Sequence, residues 1–235
     1  MERALSLLDA FTVDEPQLTL AEMTRRLGLP KTTVFRLART LAARGYLAQL
    51  EGGAWRLGPA AAWLGARYQV AFDIHNTIEP IMRRLAKDTR RGVSYFVPEG
   101  NARVRLLRVA TEATLFRHAR VGESMPLDKG SPGQVLLAFA GRKGAVYEQI
   151  RKRGFHFTIG EARNQSASVS APVYGPNWRV VGALCIGVAA SEADEKSLCA
   201  YAPALMKAAE RLSRALVAEH AATRQVAITQ QGWRP

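Results

Sequence analysis

The sequence predicts an α+β protein of two domains, an N-terminal winged helix-turn-helix and a larger C-terminal domain built on an antiparallel sheet. Three observations carry this. Three short helical patterns separated by breakers fill the first 43 or so residues, a hairpin pattern with a Gly-Gly turn follows at once, and beyond residue 93 short β-rich runs alternate with helical ones. At 235 residues the chain exceeds the roughly 150–200 residues that one core usually serves, so two domains are the natural division.

In the first helix, residues 3–11, Leu5, Leu7, Leu8 and Phe11 recur at helical spacing, and the polar run Asp14, Glu15, Pro16, Gln17 ends it. Thr19 with Glu22 three residues on is a capping box that opens a second helix, residues 20–27, whose inner face is Leu20, Met23 and Leu27. Gly28 stops it. The third helix starts after Pro30 and directs Val34, Leu37, Ala38 and Leu41 to one side. Two helices joined by a tight glycine-containing turn form a helix-turn-helix. Tyr46, Leu47 and Gln49, then Glu51, Gly52 and Gly53, then Trp55, Arg56 and Leu57 read as a β-hairpin, the wing.

With the apolar stripe of the third helix turned inward, Lys31, Thr32, Thr33, Arg36 and Arg39 lie on or near its outer surface, with Thr40 beside them and Arg56 on the wing. Arginine pairs with guanine and a threonine methyl meets that of thymine in the major groove, so these six, Thr40 apart, are the candidate DNA-binding residues. The net charge is +13, of which only +2 lies before Gly58. The local pattern says more than the total: residues 23–50 contain no Asp or Glu but six Lys or Arg, a surface that can lie against phosphates without like-charge repulsion. A packing unit with a solvated basic face would share that charge, though not the ordered series of cap, turn glycine, acid-free helix and hairpin.

Residues 60–85 read as helix, broken near Pro80. Residues 93–97, 104–109, 116–121, 168–173 and 180–188 read as strands of an antiparallel sheet, and 132–139, 143–153 and 192–220 as helices covering it. Residues 223–235 show no pattern and are read as an unordered tail. Gly130-Ser131-Pro132-Gly133 is a loop entering a helix, where free N–H groups are available to a ligand. Arg103, Arg105 and Arg108, with Arg117 and Arg120, either anchor a carboxylate or are solvated edge-strand charges, the commoner case.

An enzyme would have to draw on Cys185, Cys199, His75, His118, His156 and His220. No His pair stands at a metal-ligand interval, no nucleophile elbow appears, and Cys185 sits in an apolar strand, so no catalysis, metal or cofactor is expected. No apolar run reaches the roughly 20 residues of a membrane span, the N-terminus does not read as an export signal, and two cysteines suit a reducing compartment. A cytoplasmic protein is expected. A DNA-architectural protein without a ligand fits the charge but leaves the C-terminal half without a purpose.

The chain resembles the IclR family of bacterial regulators along nearly its whole length. The resemblance lies in Glu2-Arg3-Ala4-Leu5, Leu20-Ala21-Glu22, residues 29–37 (LPKTTVFRL), Gly45-Tyr46-Leu47 and Trp55-Arg56-Leu57-Gly58. It continues in Gly122-Glu123, Pro126-Leu127, Gly130-Ser131-Pro132-Gly133, residues 167–173 (ASVSAPV) and Val180-Val181-Gly182-Ala183-Leu184. It implies a winged-helix domain at 1–58, a linker helix at 59–78 and a GAF-like effector domain at 79–222. It further implies a homodimer or homotetramer on double-stranded operator DNA, responding to a small-molecule effector, an organic acid or an aromatic compound. By the same resemblance Ser131, Thr158, Ser168, Cys185 and Gly187 surround the effector. Some members carry an acid where Thr158 stands and serines where Cys185 and Gly187 stand, and this loss of polar groups points to a larger or more aromatic ligand than a small keto acid.

Overall fold

The computed structural model describes residues 1–12, 14–71, 74–111, 120–162 and 165–231. The chain folds as two compact units, Met1–Ile74 and His75–Pro235. In the first, α1 (Glu2–Asp9), α2 (Leu20–Leu27) and α3 (Lys31–Ala43) precede the hairpin of β2 (Leu47–Gln49) and β3 (Trp55–Leu57). The capping box forms: the Thr19 hydroxyl accepts the Glu22 N–H at 3.2 Å, and the Glu22 carboxylate accepts the Thr19 N–H at 2.7 Å. These bonds satisfy N–H groups that a helix start leaves open, and they hold the Glu22 carboxyl below its ordinary range. Gly28 closes α2 at φ +63°, a backbone that a Cβ disfavours.

The sequence reading missed a strand here. The two residues Gln17–Leu18, β1, pair with β3 to give a three-stranded sheet of order β1-β3-β2, with Leu18 opposite Trp55. Trp55 is buried with Leu7, Phe11, Leu18, Met23, Val34, Ala38 and Leu47 in one core. At roughly 1.5–3 kcal/mol for each large side chain taken from water, that cluster fixes the wing to the helices.

α4 (Pro59–Ala71) follows, then a π-helical turn at Ile74–Ile78 and α5 (Glu79–Thr89). The α-helical run ends before Pro80, which sits in the first turn of α5, where its missing N–H removes no intrahelical bond.

The second unit carries a six-stranded, wholly antiparallel sheet of order β6-β5-β4-β9-β8-β7. The strands are β4 (Gly92–Glu99), β5 (Ala102–Val109), β6 (Ser124–Pro126), β7 (His156–Ile159), β8 (Ser166–Tyr174) and β9 (Val180–Ala189). β6 and β7 were not expected. The strand expected at 116–121 falls mostly on 112–119, outside the described residues together with Arg117 and His118, and Arg120 and Val121 are not in a strand. The β8 sequence shows how the sheet is sided: Ala167, Val169, Ala171 and Val173 are buried and alternate with Ser166, Ser168 and Ser170.

α8 (Glu195–Gln231) packs on β8, burying Leu198, Ala202, Leu205, Ala209 and Leu212 at steps of four and three, and α5 packs beside it on β4 and β5. α6 (Gly130–Phe139) crosses β7, β8 and β9, and α7 (Ala145–Arg153) packs on α6. α8 runs past residue 222, so the backbone of 223–231 is helical where an unordered tail was expected. No Gly or Pro interrupts the chain there before Gly232.

Candidate DNA-reading face and effector pocket

In the first unit, Val34 and Ala38 are buried and Leu37 and Leu41 half-buried, which turns the opposite side of α3 outward. Lys31, Thr32, Arg36 and Arg39 are exposed there, Thr33 is half-buried, and Arg56 is exposed on β3. α3 has no acidic residue in its first turn, so its open N–H groups and positive dipole end add to the side-chain charge. Arg26, part of the basic run, is otherwise engaged: it donates to the Ala10 carbonyl at 2.7 Å and pairs with Glu15 at 2.6 Å, tying α2 to the segment that follows α1. Phe35, absent from the sequence-based set, is 39% exposed, with the Arg39 guanidinium 6.0 Å from its ring centre. Its spacing from Val34 and Ala38 already excludes it from the inward stripe.

In the second unit, strand register brings the five expected effector residues together. Thr158 stands opposite Ser168, Ser168 opposite Gly187, and Ser170 opposite Cys185. At the start of α6 the Ser131 N–H donates to the Thr158 hydroxyl at 3.0 Å, and the Ser131 hydroxyl meets those of Ser168 and Ser170 at 2.7 and 2.8 Å. Ser168, Cys185 and Gly187 line a concave pocket, while Ser131 and Thr158 are buried behind it, Ser131 bonded to Ser168 of the wall and Thr158 to Ser131. The hydroxyls largely satisfy one another. Burial pushes the Cys185 thiol up, against hydrogen bonds from Ser170 and Ser168 and the pull of nearby guanidiniums, so it contributes a neutral sulfur.

The opposite wall comes from β4 and β5 and overturns the reading of the β5 arginines as solvated edge charges. β5 lies inside the sheet, between β4 and β6. Arg103 is 1% and Arg105 8% exposed, and Arg103, Arg105 and Arg108 all line the pocket. A regular strand would send Arg105 and Arg108 to opposite faces. A register shift at Tyr95/Phe96, where Tyr95 pairs with Leu107 and Phe96 with Arg105, inserts Leu106 and returns Arg108 to the face of Ser94 and Phe96. Arg103 and Arg105 lie over the Phe96 ring at 5.5 and 5.0 Å. Arg105 also forms an ion pair with Glu123.

Arg103 donates to the Pro126 carbonyl, and its Nε is buried without a hydrogen-bond partner among the described residues. Its guanidinium occupies space left by Gly133: a Cβ there would fall 2.9 Å from Nη1 and 2.0 Å from the Leu127 carbonyl oxygen. Burial first, with the like charge of Arg105, draws Arg103 down to about 10, against the pull of Cys185 and Asp128. Arg108 is lowered by burial and by Arg105. The lining includes no Asp or Glu among the described residues, so the pocket is a cationic recess faced by hydroxyls.

The model of the IclR helix-turn-helix domain matches residues 1–51, and that of the bacterial transcriptional regulator IclR C-terminal domain matches residues 66–148 and 144–214. The chain belongs to the IclR family of transcriptional regulators. The regulator XynR of Escherichia coli K12 is 25% identical over 242 residues, spanning 92% of this chain and 96% of XynR. An IclR regulator structure from Silicibacter sp. TM1040 superposes with a TM-score of 0.80 at 22% identity, covering 91% of this chain and 94% of that one. An IclR homologue from Microbacterium hydrocarbonoxydans, solved with 4-hydroxybenzoate, superposes at 0.77 with 23% identity, covering 91% and 97%. As an IclR-family member the chain is a DNA-binding transcriptional regulator, with a helix-turn-helix domain in the first unit and an effector-binding domain in the second. No helix among the described residues is long and apolar enough to cross a membrane.

Proposed function

We propose that this regulator reads a two-fold symmetric operator as a homodimer and that a short organic acid in the concave pocket sets its affinity. Lys31, Thr32, Thr33, Arg36, Arg39 and Arg56 meet the DNA, and α4 is the linker helix. The effector lies between Ser168, Cys185 and Gly187 on one side and the β5 arginines on the other, with Ser131 and Thr158 holding the serine side in place. The observation that carries the effector class is the wall of three arginines, Arg105 paired behind it with Glu123 and no acidic residue in the lining among those described, since guanidiniums grip carboxylates through paired, charge-assisted hydrogen bonds.

The size of the pocket favours a short acid. The pocket opens to solvent, and its volume of about 90 Å³ is below the roughly 150 Å³ of an engineered cavity that takes up benzene. An aromatic acid such as the 4-hydroxybenzoate bound by the Microbacterium homologue would project from its mouth or need the walls to part.

Dimerisation is supported by α4, where Trp63 is 69%, Leu64 57% and Tyr68 40% exposed on a helix short of charge. So dense an apolar surface on a helix calls for a partner, and a symmetric operator calls for a second copy. Such a protein works beside DNA in the cytoplasm, and no catalytic step is required of it.

Calorimetry with a panel of short mono- and dicarboxylic acids, their neutral amides and benzoates tests the effector class. Binding of a short acid, with its amide inert, is expected. Equal binding of acid and amide, or binding of benzoates alone, would overturn it.

A further inference from the structure

The outward half of α3 carries an aromatic ring among its cations. At 100° per residue, Phe35 is turned about 110° from the centre of the stripe made by Val34, Leu37, Ala38 and Leu41, on the side of Lys31 and Arg39. It is 39% exposed, and the Arg39 guanidinium sits 6.0 Å from its ring centre. A ring so placed gives up burial, and the surface around it selects what can restore it. Residues 23–50 hold no Asp or Glu, and Lys31, Thr32, Arg36 and Arg39 flank the ring. That surround suits a polyanion, and the apolar group that base pairs present in the major groove is the C5 methyl of thymine.

We propose that Phe35 is a specificity-determining residue that packs on a thymine methyl, with Arg39, held beside the ring, placed to meet an adjacent base pair. The inference rests on the reading of α3 as the helix that enters the major groove. Threonine methyls were the expected thymine contacts; Thr33 is half-buried, and the exposed Thr32 offers a single methyl. Phe35 offers the larger apolar surface.

The test replaces each thymine in turn by deoxyuridine, which removes the methyl and leaves base pairing intact. An operator is first selected from random duplexes with the full-length protein, and binding is then followed by fluorescence anisotropy for wild type, Phe35→Ala, Phe35→Leu and Arg36→Ala. Wild type is expected to lose roughly fourfold in affinity at one thymine per half-site, the factor that burial of one carbon gives. Phe35→Ala binds the thymine operator more weakly and ignores that substitution, Phe35→Leu keeps part of the effect, and Arg36→Ala weakens binding to both duplexes alike. Wild-type indifference to every thymine-to-uracil change, or a Phe35→Ala protein that still senses the methyl, would overturn the proposal. If wild type selects no preferred sequence, the groove-reading assignment itself falls and takes the methyl contact with it.

Discussion

Replacing Arg103 by methionine is expected to stabilise the ligand-free C-terminal unit and to abolish its response to an organic acid. Arg103 is 1% exposed, and burial brings its guanidinium from the ordinary arginine range down to about 10. At about 1.4 kcal/mol per pH unit, this disfavours the charged form by on the order of 3 kcal/mol. The folded-state value lies below the unfolded one, so the penalty is present in full below about pH 10 and fades as pH rises toward the ordinary arginine range. It therefore applies at neutral pH.

Methionine removes the charge and fills much of the same space. It forfeits the hydrogen bonds to the Pro126 carbonyl and the Met125 sulfur and the contact with Phe96, together about 1–2 kcal/mol, and the exposed Pro126 can turn to water instead. The balance is a gain of about 1–2 kcal/mol, or roughly 2–8 °C in the melting temperature of a unit this size. Differential scanning calorimetry of the C-terminal transition reads the stability. Anisotropy on operator DNA reads the acid response, which should weaken by about 10–100-fold on loss of a charge-assisted pair. A variant that melts several degrees lower and keeps its response would refute the reasoning and make Arg103 a structural residue.

Three further outcomes are expected. Thr19→Ala removes the hydroxyl that accepts the Glu22 N–H and leaves the backbone bond to the Glu22 carboxylate, and it should lower the stability of the N-terminal unit by about 1 kcal/mol, read from its urea midpoint, with sequence preference unchanged. Arg36→Ala should weaken specific binding by about 1–3 kcal/mol in competition titrations, whereas Arg26→Ala, which breaks an internal clip, should lower stability and leave base preference alone. His156 is held below its ordinary value by burial, with Arg153 adding to the effect and Glu161 opposing it, so the unfolded chain takes up a proton before the folded one. Stability should therefore fall as pH drops below about 6.5, and His156→Gln should flatten that slope in denaturation series run across the range.

What could be read from the sequence divides by range. The α2 cap is local, because Thr19, Glu22 and Gly28 bond within their own helix, and the inward stripe of α3 follows from spacing alone. β1 was invisible because two residues have no periodicity, and it exists only through pairing with β3, 37 residues away by the Leu18–Trp55 register. β7 did carry a signal, the alternation His156, Phe157, Thr158, Ile159, while the short β6 did not.

The serine side of the pocket was legible through the family resemblance. The arginine side was not, since the 103, 105, 108 spacing puts the last residue on the wrong face of a regular strand and only the bulge at Leu106 corrects it. Nor can a sequence show that β5 is an interior strand, which is what turns those charges from solvated into buried. The same correction is what favours a short acid in the proposal over the larger or more aromatic ligand expected, because the polarity missing at Thr158, Cys185 and Gly187 is supplied from across the sheet.

The central claim, that an acid in the arginine-lined pocket sets DNA affinity, is tested most directly by titrating the selected operator with full-length protein at several salt concentrations, with and without the acid found by calorimetry. The account predicts sequence-selective binding with a steep salt slope and a shift of at least several-fold in affinity on adding the acid, lost in Arg103→Met. Selective binding that no acid able to enter the pocket alters, or an unchanged shift in Arg103→Met, would contradict it.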